Sequence, residues 1–93
     1  MDAVFRALGD PVRVALIEEL EQRNDQTLFE LCVRLIYREF GQSRQAVAKH
    51  ILMLRRAGIV QATTSGRTTI HHLEASALAE ARDWLSKLTK ETT

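Results

Sequence analysis

The residue pattern of this 93-residue chain changes sharply at Gly58, and any fold of the chain has to accommodate that change. Before Gly58, apolar residues recur every three or four positions, which is the spacing of amphipathic helices. After it, two stretches at 59–64 and 67–73 are rich in β-branched residues, and Ser65-Gly66 lies between them at a hairpin turn. Helical spacing then returns. The sequence therefore predicts four helices, a β-hairpin and a fifth helix.

Helix-start signals divide the first part of the chain. Asp10 followed by Pro11 is typical of an N-cap and the first helical position, and Gly9 before them suits the end of a helix. Thr27 and Glu30, three positions apart, form the pattern of a capping box. The predicted helices are residues 2–8, 11 to about 23, 28 to about 40, 44 to about 57, and 75 or 76 to 89, with a polar turn at 24–26.

The third and fourth helices are joined only by a short turn in which Ser43 is the predicted N-cap. Two helices around so tight a turn form a helix-turn-helix, and the hairpin that follows adds a wing. We therefore predict a mostly α fold with a β-hairpin wing, a winged helix-turn-helix that forms one domain over residues 1–93. The residues expected in the core are Leu28, Leu31, Leu35 and Ile36 of the third helix and Val47, Ile51 and Leu54 of the fourth.

The charges are distributed unevenly, although the net charge is only +1. Residues 40–73 contain no Asp or Glu and carry five of the 13 cations, which leaves eight cations and 12 anions, a net charge of −4, for the remainder. A cationic third of this kind indicates a polyanionic partner, and duplex DNA is the polyanion that helix-turn-helix motifs bind. The five cations are Arg44, Lys49, Arg55, Arg56 and Arg67.

The fourth helix is expected to read base edges, because its outward face is small and polar in the N-terminal half. Arg44 is suited to guanine O6 and N7, Gln45 to adenine N6 and N7, and Ala48 to a thymine methyl group. The remaining predicted contacts, to phosphates or the minor groove, are Ser43 at the helix start, Lys49, Arg55 and Arg56 further along the helix, and Thr64, Ser65 and Arg67 at the hairpin tip.

Enzymatic and membrane functions find no support in the sequence. It contains no G-x-S-x-G, glycine-rich phosphate loop or H-E-x-x-H pattern, and Glu18, Glu19 and Glu21 lie too close along one helix to act as an acid/base pair. We predict no enzymatic activity and no cofactor. No run of about 18 apolar residues occurs, the N-terminus does not resemble a signal peptide, and a single cysteine suits a reducing cytoplasm.

Few residues of the chain could bind a metal. Cys32 lies in the middle of a helix with no His within helical reach, so a buried, inert thiol is favoured, and a redox- or metalloid-responsive thiol is the alternative. His71 and His72 are adjacent in a strand and point to opposite faces. One is therefore expected to be packed and the other hydrated, and the pair cannot easily share a metal ion.

Residues 3–88, nearly the whole chain, resemble the ArsR family of bacterial winged-helix repressors. The resemblance rests on Leu-Gly-Asp-Pro-Val-Arg at 8–13 and on the fourth helix with His50, and more weakly on 54–60 and the Gly66-Arg67 wing. It implies a homodimer, built from the first and last helices, that binds an inverted-repeat operator through paired fourth helices and wings. The interface residues expected from these helices are Val4, Phe5, Leu8, Leu78, Ala81, Trp84, Leu85 and Leu88.

The departure from the family pattern concerns sensing. Metalloid-responsive members carry Cys-Val-Cys in the third helix, where this chain has Cys32-Val33-Arg34, and other members place His ligands in the last helix, where residues 76–89 contain none. His50 is expected to have a structural role. We therefore expect a repressor without a recognisable metal site, its effector left open. The alternatives are a thiol- or metalloid-responsive repressor acting through Cys32 and a winged helix that binds proteins.

Overall fold

The computed structural model describes residues 1–90 and contains the five predicted helices and the predicted hairpin. One further strand, β1, precedes the third helix. The elements are α1 (Asp2–Leu8), α2 (Pro11–Gln22), β1 (Gln26–Thr27), α3 (Leu28–Tyr37), α4 (Arg44–Arg56), β2 (Val60–Ser65), β3 (Thr68–Leu73) and α5 (Ala75–Leu88).

Local hydrogen bonds begin three of the helices where the sequence predicted. The carboxylate of Asp10 accepts from the backbone N–H of Val12 at 2.8 Å and caps α2. Thr27 Oγ1 accepts from the N–H of Glu30 at 3.1 Å while Glu30 Oε1 accepts from the N–H of Thr27 at 2.9 Å, so the capping box of α3 is confirmed. Ser43 Oγ accepts from the N–H of Ala46 at 3.1 Å and caps α4.

Gly9 follows the last residue of α1 as predicted, with a φ of −79°. Two other local predictions, one about a helix end and one about a core position, were wrong. The third helix ends at Tyr37 and not near residue 40, because Glu39 takes a φ of 63° and the N–H of Phe40 folds back to the carbonyl of Leu35 at 2.8 Å. Ile36 is 63% exposed, since the neighbouring positions Leu31 and Leu35 are the ones turned into the core.

The sheet has three antiparallel strands in the order β1-β3-β2, one more than predicted. Gln26, predicted as part of a turn, pairs with His71 and is buried, and its side-chain amide donates to the carbonyls of Arg23 and Glu19 at 2.6 and 3.2 Å. The hairpin loop is Gly66-Arg67, one position later than predicted, because Ser65 pairs with Thr68. Gly66 has a φ of 62° at the first loop position, which type II′ turns reserve for glycine.

The core lies where α2, α3 and α4 meet the sheet. Its largest fully buried side chains are aliphatic, and the fourth helix contributes the three residues that the sequence predicted, Val47, Ile51 and Leu54. Because this inward stripe anchors α4, the opposite side of α4 is held on the surface in a fixed orientation. The other large core residues are Leu16, Leu20, Leu31, Leu35, Ile59 and Val60.

Gly58 separates α4 from β2 and has a φ of 77°, a conformation that L-residues rarely adopt. A methyl group added there has room, since the nearest atom is the Cβ of Ala77 at 3.9 Å. We expect Gly58→Ala to lower the free energy of unfolding by about 1 kcal/mol through backbone strain alone. Urea denaturation measures it, with Gly41→Ala as the control because that residue has no positive φ. Equal effects of the two substitutions would contradict this account.

Candidate nucleic-acid interface

All ten residues predicted to contact DNA are exposed. On α4 and at its N-cap, the side chains opposite the buried stripe lie on the surface along the length of the helix. At the wing, which we define as the hairpin β2–β3, the exposed tip contains the predicted hydroxyl and guanidinium groups. The ten residues are Ser43, Arg44, Gln45, Ala48, Lys49, Arg55, Arg56, Thr64, Ser65 and Arg67.

A groove of about 490 Å³ lies between α4, the wing and the start of α3. Four of the predicted residues, Arg44, Ala48, Arg55 and Arg67, line this groove, so the fold brings cations from both elements to one site. Arg56 lies outside it and lines a neighbouring cavity that shares Arg55 with the groove. The other five, Ser43, Gln45, Lys49, Thr64 and Ser65, are exposed and do not line the groove.

Among the lining residues that were not predicted as site residues, Phe29 and Leu52 are large, apolar and exposed. Phe29 is 66% exposed and Leu52 is 40% exposed. The available signal was helical geometry, since Phe29 precedes the inward-facing Leu31 by two positions and therefore lies on another side of α3. Apolar surface thus lines the groove together with the arginines.

The five cations of the acid-free segment are not neutralised by the protein. Within residues 1–90, none of them lies within 4.0 Å of a carboxylate, whereas Arg13, Arg23, Arg34, Arg38 and Arg82 elsewhere in the chain all form ion pairs. Positive charges concentrated in this way, without internal partners, generate the potential that attracts a polyanion.

The two wing histidines lie in different environments, as predicted. His71 is buried, and its Nδ1–H donates to the carbonyl oxygen of Gln26 at 3.0 Å. Burial lowers the pKa of His71, and the nearby charge of Arg55 acts in the same direction. His71 is therefore neutral at physiological pH and adds no charge to the groove. His72 is partly exposed and bridges the Asp25 carboxylate and Thr63 Oγ1, the latter at 2.9 Å, which fastens the wing to the loop before β1.

Cys32 lies on α3 and packs partly against the core. Burial raises the pKa of its thiol, opposed by the charge of Arg44. The thiolate is the reactive form of cysteine, so a raised pKa makes the thiol less reactive at neutral pH. Over residues 1–90, no three His, Cys, Asp or Glu side chains come together in a group that could hold a metal ion.

The residues predicted for a dimer interface divide into three groups by exposure. Val4 and Ala81 are buried inside the single chain, so they belong to its own core. Phe5, Leu8 and Leu78 are partly buried and pack against that core. The rings of Phe5 and Trp84 meet edge to face, with centroids 5.5 Å apart. The members that remain exposed are Trp84, Leu85 and Leu88 of α5.

No family model matches the chain, but relatives and solved structures do. Over 67 residues, which are 71% of this chain and 73% of the relative, it is 45% identical to the HTH-type transcriptional regulator YuzN of Bacillus subtilis. The structure of an ArsR-like transcriptional regulator from Rhodococcus sp. RHA1 has a TM-score of 0.82 and 31% identity, covering 95% of this chain and 75% of that one. The chain belongs to the ArsR family.

A further relative of this ArsR-family chain is the HTH-type transcriptional regulator MJ1325 of Methanocaldococcus jannaschii, which is 27% identical over 70 residues, 75% of this chain and 73% of the relative. The family assignment and the fold agree with the exposed cationic face of α4 and the wing. The ArsR-family chain is a DNA-binding transcriptional regulator and not an enzyme. Among residues 1–90, no helix is long and apolar enough to cross a membrane.

Proposed function

We propose that this ArsR-family regulator is a cytoplasmic homodimer that represses transcription by occupying an inverted-repeat operator. The observation that carries the proposal is the cationic face of α4 and the wing, where Arg44, Arg55 and Arg67 line one groove and have no carboxylate partner within residues 1–90. When promoter DNA is bound on this face of the protein, polymerase is excluded from the same DNA.

We assign base reading to the N-terminal part of α4. Arg44, Gln45 and Ala48 are exposed at the start of the helix, the end that a recognition helix presents to base edges. Ser43 and the free N–H groups of the first turn suit a phosphate. The residues proposed to hold the backbone or the minor groove are Lys49, Arg55, Arg56, Thr64, Ser65 and Arg67.

Dimerisation through α1 and α5 is supported by the apolar surface that these helices leave exposed. Trp84 is 41%, Leu85 44% and Leu88 64% exposed. The ring of Trp84 also contacts the ring of the partly buried Phe5 of α1. Contiguous apolar surface of this kind is typical of an interaction site. A two-fold dimer presents two α4 helices to two symmetric half-sites, which matches an inverted repeat.

The raised pKa of the Cys32 thiol disfavours the alternative in which this cysteine senses metalloids or oxidants. Equilibrium dialysis with zinc, arsenite and copper, comparing the wild type with Cys32→Ser, tests that alternative. We expect neither protein to bind these ions stoichiometrically. Stoichiometric binding that Cys32→Ser abolishes would show that Cys32 binds the ion and would contradict this expectation.

The salt dependence of operator binding tests the phosphate assignments. In a dimer, Lys49→Ala or Arg56→Ala removes two phosphate contacts, so the slope of log K against log salt is expected to fall in magnitude by about 2. Binding to unrelated duplexes is expected to weaken equally. Arg82→Ala is the control, since this arginine pairs with Asp83 on α5. If the slope stays unchanged in the Lys49 and Arg56 variants, these residues do not contact phosphate.

A further inference from the structure

Arg13 of α2 holds three helices together through one guanidinium group. Its side chain is only 12% exposed, and its nearest carboxylate, that of Asp10, lies 4.0 Å away. A nearly buried guanidinium is stable only when its N–H donors find acceptors. The acceptors of Arg13 come from α1 and α4, which both pack against α2.

Two of these acceptors are backbone carbonyls at the end of α1. Arg13 Nε donates to the carbonyl oxygen of Ala7 at 2.8 Å, and Nη2 donates to that of Arg6 at 3.0 Å. The carbonyl of Arg6 also accepts from the N–H of Gly9 at 3.1 Å, so Arg13 adds a second donor there. The carbonyl of Ala7 lies in the last turn of α1, where carbonyls lack an intrahelical partner, and Arg13 supplies a donor to it. The guanidinium thereby fixes the end of α1 against α2.

The remaining acceptors belong to α4. Arg13 Nη1 lies 3.4 Å from His50 Nδ1 and donates to Met53 Sδ at 3.4 Å. Because the guanidinium carries only donors, His50 Nδ1 faces it as an acceptor. His50 and Met53 are about one turn apart on α4, so Arg13 contacts two neighbouring turns of this helix.

We propose that Arg13 is a positioning residue that fixes α4 relative to α1, and so sets the separation of the two α4 helices in the DNA-bound dimer. The inference rests on the proposed dimer, in which α1 belongs to the interface and α4 reads the operator. One side chain then connects the interface to the recognition helix. The planar fork of arginine reaches acceptors in two directions, whereas the ammonium of lysine is a single point.

The test compares Arg13→Lys, which keeps the charge, with the wild type on operators whose half-sites are moved apart or together by single base pairs. We expect the wild type to lose about tenfold in affinity for each base pair of misplacement, since it must deform the DNA or itself. Arg13→Lys is expected to bind its preferred spacing about tenfold more weakly and to discriminate much less among spacings.

Val60→Ala is the control for lost stability, because Val60 is buried in β2 and has no part in the Arg13 contacts. This variant is expected to unfold more easily but to keep the spacing preference of the wild type. His50→Gln, which preserves an acceptor, is expected to retain most of the preference. A folded, dimeric Arg13→Lys with wild-type spacing preference would overturn the inference. Absence of binding by the wild type would instead overturn the proposed function.

Discussion

Leu85→Glu is expected to convert the dimer to a monomer and to lower operator affinity by a factor of about 10² to 10⁴, the range over which a second linked contact raises avidity. Leu85 is 44% exposed on α5, which also exposes Trp84 and Leu88. Burying two carboxylates face to face across a two-fold axis costs far more than the lost apolar contact. The single chain keeps its own fold, since Leu85 is not part of its core.

Ile36→Glu is the matched control for this prediction. Ile36 is 63% exposed on α3, so the substitution places the same charge on an apolar surface residue outside α1 and α5. Analytical ultracentrifugation measures the mass, and fluorescence anisotropy with a labelled operator measures the affinity. A dimer that survives Leu85→Glu would refute the assignment of the interface to α5.

Arg44→Ala is expected to weaken binding to the cognate operator by about 1–3 kcal/mol for each half-site, the discrimination that one bidentate arginine-to-guanine contact provides. Arg44 is exposed at the first position of α4, lines the groove beside the wing and forms no ion pair within residues 1–90. Its truncation therefore removes the proposed contact to DNA without breaking an ion pair inside the protein. Because the proposed dimer carries two copies, the losses are expected to combine on the full operator.

The readout that distinguishes base reading from charge is specificity. Arg44→Ala is expected to lose its preference at one base pair of each half-site and to bind unrelated duplexes nearly as the wild type does. Lys49→Ala, measured alongside, is expected to weaken both kinds of DNA equally. If Arg44→Ala binds the operator as tightly as the wild type, Arg44 does not read a base.

Features that depend on neighbouring residues could be predicted from the sequence. Asp10, Thr27 and Ser43 each cap a helix through a bond to a backbone group two or three positions later, so the pattern and the geometry are both local. The inward stripe of α4 followed from helical spacing, and its outward cationic face followed from the stripe.

Features that depend on distant residues could not be predicted. The strand β1 has only two residues and exists because β3, more than 40 positions later, pairs with it. Glu19 of α2 is 4% exposed and pairs with Arg34 of α3, whose Nε lies 2.8 Å from Glu19 Oε1, and with Arg38 at the C-cap of α3. The contact of Arg13 with His50 likewise spans 37 positions. No periodicity along one helix reveals a contact with another.

Selection of random duplexes by the purified protein at physiological salt tests the central claim most directly, because it requires α4 to read bases and the chain to be a dimer. We expect a motif with two-fold symmetry whose half-sites lie about one helical turn apart, roughly 10 base pairs from centre to centre. Enrichment of no motif, or of a single asymmetric half-site, would contradict the proposal that two copies of this chain recognise an inverted repeat.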